Sequence, residues 1–151
     1  MPWWKEELWR IFQTNLREID MQDLSAERFV ADLKDFHATV VLLNAAGISA
    51  GYDTKLPYHS KNPYLTGDSL ERIVDLCHEN GIRVIARADF SKVKKNVYEM
   101  HPEWAFRTEH GDVMEQNGFI QTCLCGDYQQ KFAFEILEEL FGRIPFEIGR
   151  A

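Results

Sequence analysis

At 151 residues, with 45% apolar and 27% charged side chains, the chain has the make-up of one soluble globular domain, large enough to bury a core. A net charge of -7 and the lack of any basic cluster with interleaved aromatics exclude a phosphate-tracking nucleic-acid binder. The longest apolar stretch, Ala38 to Ala46, carries Thr39 and Asn44 and falls well short of a membrane span.

The N-terminus, Met-Pro-Trp-Trp-Lys-Glu-Glu, has no basic segment leading into an apolar run, so no secretory signal is expected. Trp9 to Asn15 suits a first strand, after which Ser25 caps a helix with Phe29, Val30, Leu33 and Phe36 on one face. Thr39 to Asn44 is nearly continuously apolar and β-branched, as expected of a strand buried on both faces of a parallel sheet. Asp68 with Glu71 fits a capping box. Leu70, Ile73, Val74 and Cys77 then follow a helical stripe, and Asn80-Gly81 fits a left-handed stop. Ile82 to Arg87 is a second buried strand. Strand, capped helix, glycine stop and strand make a βαβ unit with a right-handed crossover.

Farther on, Asp127 with Gln130 opens a helix from Tyr128 to Phe141, with Phe132, Phe134, Ile136, Leu137 and Leu140 apolar. Ile144 to Ile148 begins one more strand, which Pro145 confines to a strand start or an edge. Alternating β and α elements, with no internal repeat or linker, predict a single α/β domain over residues 1–151 with a parallel sheet.

Two connections are too long for turns: Ala45 to Gly67 and Asp89 to Gly126. Both leave carboxyl ends of strands, where barrels and open α/β sheets alike build their sites. Within the second, Glu109-His-Gly-Asp112 suggests a hairpin tip and Asn117-Gly118 a turn. A complete eightfold barrel takes about 250 residues. Three strands and the start of a fourth are readable here, so periodicity leaves both a small open sheet and an unfinished barrel standing.

Cys77, Cys123 and Cys125 lack a disulfide framework, and reduced thiols in the cytoplasm are expected. The scattered histidines and the single Cys-x-Cys give no metal site, and no nucleotide or phosphate-binding glycine motif or nucleophile elbow occurs. No metal and no organic cofactor are expected.

The segments Ile11 to Asp20, Leu42 to Ile48, Tyr52 to His59, Asn62 to Leu65 with Gly67-Asp68, Gly81 to Lys92, His101 to Trp104 and Gln121 to Leu124 choose between the two architectures. In order, over roughly residues 8 to 140, they resemble a family of hypothetical glycosyl hydrolases. The barrels of that family are similar to those of α-L-fucosidases and trimeric β-galactosidases. The resemblance implies a partial (β/α)8 TIM barrel of about three to four βα units, acting on carbohydrate. It also implies a nucleophilic Asp at the end of the fourth strand, in a segment reading like Asp-Gly-aromatic-Phe-Asp. Arg143 to Ala151 departs from that pattern, so no catalytic residue is assigned. Truncation ahead of the catalytic carboxylates is the expectation, with little or no hydrolysis by this chain alone.

Glycoside hydrolysis in most families uses two carboxyl groups, about 5 Å apart for retention and farther for inversion. Asp89 is the best-placed carboxylate, directly after the second buried strand, with Arg87 near it. Substrate contact and a structural ion pair between the two are both open. Arg17, Glu18 and Asp20 follow the first strand and suit either hydroxyl binding or local ion pairs. Asn44 ends an apolar strand and must find partners, in a sugar or in a loop. His59 and Tyr52, with Tyr58, suit either sugar contact or a packed Ω-loop. Trp104 suits either a stacking platform or loop-core packing. Trp3, Trp4 and Trp9 are read as staples holding the N-terminal segment to the barrel bottom.

The alternative function is a non-catalytic carbohydrate-binding or assembly module, completed by homo-oligomerisation through the open barrel edge. A complete small α/β enzyme of unrelated chemistry is a weaker third possibility.

Overall fold

The computed structural model describes residues 3–6 and 8–150, without the side chains of residues 3, 6 and 148–150. After a short helix α1 (Trp3–Glu6) come β1 (Ile11–Gln13), α2 (Ala26–Asp35), β2 (Val40–Gly47), α3 (Leu70–Glu79) and β3 (Arg83–Asp89). A long excursion carries β4 (Lys92–Lys94), α4 (Lys95–Met100), β5 (Glu115–Gln116) and β6 (Phe119–Gln121). The chain returns through α5 (Ala133–Arg143) to β7 (Ile148–Arg150). Strands β1, β2, β3 and β7 lie side by side in that order, all parallel. The fold is thus mixed α/β around a parallel sheet.

The strands are continuous apolar runs because both of their faces are buried. Val41, Leu43, Val84 and Ala86 join the main core with Val30 and Leu33 of α2, Ile73 and Val74 of α3, and Ile136 and Leu140 of α5. Val40, Leu42 and Ile85 alternate with them and form a separate buried cluster. Each fully buried Leu, Ile or Val contributes roughly 1.5–3 kcal/mol of transfer free energy. A helix stripe and a two-sided strand are therefore the strongest constraints in the sequence.

Helix starts depart from expectation in an informative way. Ser25 does cap α2, accepting from the Arg28 amide at 3.2 Å. Asp68, expected to cap α3, caps α2 instead: its Oδ2 accepts the Ala26 amide at 2.8 Å. The N-cap of α3 is Ser69, which makes no side-chain capping bond. The reason is docking of the loop before α3 onto the start of α2. The Asp68 amide donates to Leu24 O at 2.8 Å, and a Cβ on Gly67 would stand 2.3 Å from the Leu24 nitrogen. At the far end of α3, Gly81 takes φ +71°, the left-handed stop expected there.

Further differences concern edges. Phe36 does not join the core face of α2; it is 65% exposed and stacks on Phe12 at 5.2 Å. Phe134 of α5 is likewise exposed. The segment before α5 is a single π-helical turn, Tyr128–Phe132, and Asp127 makes no capping bond. Ile144 to Glu147 is not strand. Glu147 instead clips the returning chain to β3, its Oε2 accepting the Val84 amide at 2.7 Å, with His78 Nε2 3.1 Å from the same carboxylate. Trp4 and Trp9 are partly exposed.

The second long connection is an antiparallel meander, ordered β4–β6–β5. Asn117 and Gly118, both at positive φ, make its tight turn, and the Glu109–Asp112 tip is closed by Thr108 N donating to Asp112 O at 2.9 Å. No helix among the described residues is long and apolar enough to cross a membrane.

Candidate functional site

Parallel strands bring their carboxyl ends to one end of the sheet, and a cleft lies there. It holds about 300 Å³. Its floor is the ends of β2 and β3, through Asn44, Ala46, Arg87 and Asp89. One wall is the segment after β1, Leu16 to Glu18 with Met21; the opposite rim carries Phe119 of β6.

The register explains the floor. Asn44 sits opposite Arg87, and a shift of register between Asn44 and Ala46 brings Gly47 opposite Asp89. Arg87 and Asp89, two apart on one strand, emerge on the same face. They do not pair with each other. Arg87 Nη1 donates to Asn15 Oδ1 at 3.1 Å, while Asp89 Oδ1 accepts from the Ser91 amide and hydroxyl at 3.0 and 2.6 Å. Asn44 Nδ2 donates to Leu16 O at 3.1 Å, but its Oδ1 is buried without a partner.

On the wall, Arg17 holds Asp20 through a 2.7 Å ion pair on the surface. Their mutual hydrogen bonds raise the Arg17 pKa and lower that of Asp20. Glu18 pairs with Lys94 of β4 at 2.6 Å, joining the wall to the meander across the cleft.

Of the residues singled out from sequence, the cleft therefore gathers Arg17, Asn44, Arg87 and Asp89, with Asp20 beside it on Arg17. The other three lie elsewhere. Tyr52 is fully buried, its hydroxyl donating to Glu139 of α5 at 3.0 Å. Burial and that carboxylate raise its pKa. Trp104 is 1% exposed and stacks on His101 at 3.8 Å, within a cluster holding Tyr58, Tyr128 and Phe132. It has no free face for a ring platform; loop-core packing is its role.

His59 is 2% exposed and accepts the Gly47 amide on Nε2 at 3.2 Å. That bond places the proton of the neutral ring on Nδ1, which is buried without a partner. Burial pushes the His59 pKa down to about 4. It thus supports the strand end behind Asp89 and does not line the cleft.

Phe119 is a cleft residue that the sequence did not point to, whereas Glu18, expected after the first strand, lines the cleft as Arg17 does. Phe119 sits in a three-residue strand, too short for a periodic signal. Among the described residues, no group of three or more His, Cys, Asp or Glu side chains could hold a metal. Cys77, Cys123 and Cys125 are all free thiols.

A family model described as "Hypothetical glycosyl hydrolase 6" matches residues 25–147. No curated protein matches the chain. Among solved structures, alpha-L-fucosidase isoenzyme 2 from Paenibacillus thiaminolyticus is similar with a TM-score of 0.68 at 17% identity, over 93% of this chain and 23% of that one. The GH36 alpha-galactosidase AgaB from Geobacillus stearothermophilus is similar with a TM-score of 0.66 at 10% identity, over 92% of this chain and 20% of that one. A hypothetical protein from Ruminiclostridium thermocellum ATCC 27405 gives 0.61 at 17% identity, over 91% of this chain and 73% of that one. The chain thus spans 23% and 20% of the fucosidase and galactosidase chains. At these identities the likeness is one of fold.

Proposed function

The chain belongs to the family of hypothetical glycosyl hydrolase 6, and from this premise we propose that its cleft is a sugar-binding subsite of a glycoside-hydrolase barrel. In this reading residues 1–151 form one domain, a partial (β/α)8 barrel of three to four βα units. Its ligand is a fucoside or galactoside, the sugars named for the two similar enzymes.

The observation that carries the reading is the meeting of Asn44, Arg87 and Asp89 at the ends of two paired strands. The Asn44 Oδ1 is buried and unpartnered, so a turn of its side chain toward the cleft would let it accept from a sugar hydroxyl. Arg87 offers donors and Asp89 acceptors to neighbouring hydroxyls, a few polar groups fixing a ligand in a partly apolar cleft. Arg17 and Asp20 stand at its entrance.

Among the described residues, hydrolysis by paired carboxyl groups finds only Asp89 and Glu18 lining the cleft, and Glu18 is engaged by Lys94. In this reading the chain by itself binds sugar without cleaving it. No metal or organic cofactor is called for. The test is calorimetric titration with methyl α-L-fucopyranoside and methyl α-D-galactopyranoside, beside a turnover assay on the corresponding 4-nitrophenyl glycosides. Saturable binding without turnover, weakened by Asp89→Asn, is expected. Failure of every glycoside to bind overturns the reading.

A second reading, a carbohydrate-binding or assembly module completed by a second copy, draws on β1. That strand is an edge of the sheet, with Ile11, Leu8 and Phe36 exposed near it. It predicts a homodimer in light scattering; a monomer at high concentration removes it.

A further inference from the structure

A group of large rings in the loop region is held together by ring-to-ring contacts. Trp104, Tyr58, Tyr128, Phe132 and Phe90 all stand in ring-to-ring contact. Phe119 does not. Among the described residues it makes no aromatic contact, and it is not among the partly buried side chains packed on the main core. It lines the cleft instead, partly buried, and is the one aromatic ring there among the described residues.

Its position is fixed from behind. On β6 the neighbouring Ile120 is 4% exposed and pairs with Val93, 3% exposed, so that side of the strand faces the core. Alternation along the strand sends Phe119 to the opposite side. The strand is pinned on both flanks, by Lys94 and by Gln116 opposite Phe119. At its end, the Thr122 amide donates to Ser91 O at 2.9 Å and the Thr122 hydroxyl to Phe90 O at 2.6 Å. Lys94, directly across from Phe119, makes the ion pair to Glu18 on the far wall. The strand that carries the ring is therefore anchored beside the cleft whose floor is Asn44, Arg87 and Asp89.

A polar floor under an apolar ring suits a ligand with hydroxyls on one edge and C–H groups on a face. We infer that Phe119 is the stacking platform of the cleft, and that its ligand is a pyranoside that lays a contiguous C–H face on the ring. The inference rests on the carbohydrate reading above and adds to it the residue and ring face that select the sugar. Loss of the aromatic face should weaken binding about tenfold.

The test titrates wild type, Phe119→Ala, Phe119→Leu, Phe119→Tyr and Asp89→Asn with methyl α-D-galactopyranoside, and records saturation transfer to the sugar protons. Expected are a loss of about tenfold in Phe119→Ala, a smaller loss in Phe119→Leu, which keeps the bulk, and near wild-type affinity in Phe119→Tyr. Saturation should be strongest at the contiguous C–H face. Equal affinity of Phe119→Ala and wild type, while Asp89→Asn binds weakly, overturns the platform and leaves the carbohydrate site standing. Absence of binding by wild type overturns both. Should Phe119→Ala fail to fold, Phe119→Leu and the saturation pattern decide: wild-type affinity in Phe119→Leu, or saturation on the polar edge, overturns the platform.

Discussion

Gly47 and Asp89 face each other in register so closely that a Cβ on Gly47 would stand 2.1 Å from the Asp89 carbonyl oxygen. Gly47 also holds φ +104°, a conformation L side chains rarely adopt. The end of β2 thus packs directly on the backbone of Asp89, the residue that carries the cleft carboxylate. Gly47→Ala should lose about 2–4 kcal/mol of stability through strain and displacement of β3, and sugar affinity should fall with the shift of Asp89. Urea denaturation and titration check this pair of effects; a variant with unchanged stability would show that the strand ends are not in contact.

Trp104 separates packing from binding. It lies within a ring cluster at 1% exposure, so Trp104→Ala should cost about 3–5 kcal/mol by opening a cavity. Trp104→Phe, which keeps much of the packing, should bind glycosides as the wild type does. If Trp104→Phe melts normally yet no longer binds sugar, the residue touches ligand after all and the cluster is a subsite.

Asp68 acts on a helix that it does not precede. Its carboxylate accepts the first amide of α2, 42 residues away, so Asp68→Ala should cost about 1 kcal/mol, with Asp68→Asn costing less. Hydrogen exchange should quicken at the start of α2 and not at the start of α3. Faster exchange confined to α3 would restore the capping box expected from local spacing.

That exchange of partners shows what kind of information a sequence exposes. Burial on two faces forces β2 and β3 into unbroken apolar runs, and burial on one face forces Leu70, Ile73, Val74 and Cys77 into a stripe. Such patterns repeat over many residues and are readable. A carboxylate that caps a distant helix leaves no local mark, since any Asp followed at three by Glu reads the same way. The site divides similarly. Asn44, Arg87 and Asp89 reach the cleft because parallel strands carry their last residues to one end. Tyr52, His59 and Trp104 follow loops that fold back into the core, and aromatic content alone does not distinguish turning inward from facing solvent. Phe119 belongs to a meander whose strands are two or three residues long, with no period to detect.

His59 should make stability depend on pH in a window that this residue defines. Burial holds its pKa near 4, against 6.5 for the free side chain. Between those values the unfolded chain binds a proton that the folded chain refuses, because Nε2 accepts from the Gly47 amide and the ring is desolvated. The His59 contribution is therefore complete above pH 6.5 and is lost progressively as pH falls toward 4. The full loss is about 3 kcal/mol. His59→Gln retains an acceptor for Gly47 but does not titrate, so urea midpoints of wild type and variant should converge as pH drops from 7 to 4. Carboxylates remote from His59 affect both proteins alike and cancel in the difference; Glu139, whose charge acts on His59, is the exception. A constant difference across the window would mean that the buried imidazole binds its proton as readily folded as unfolded.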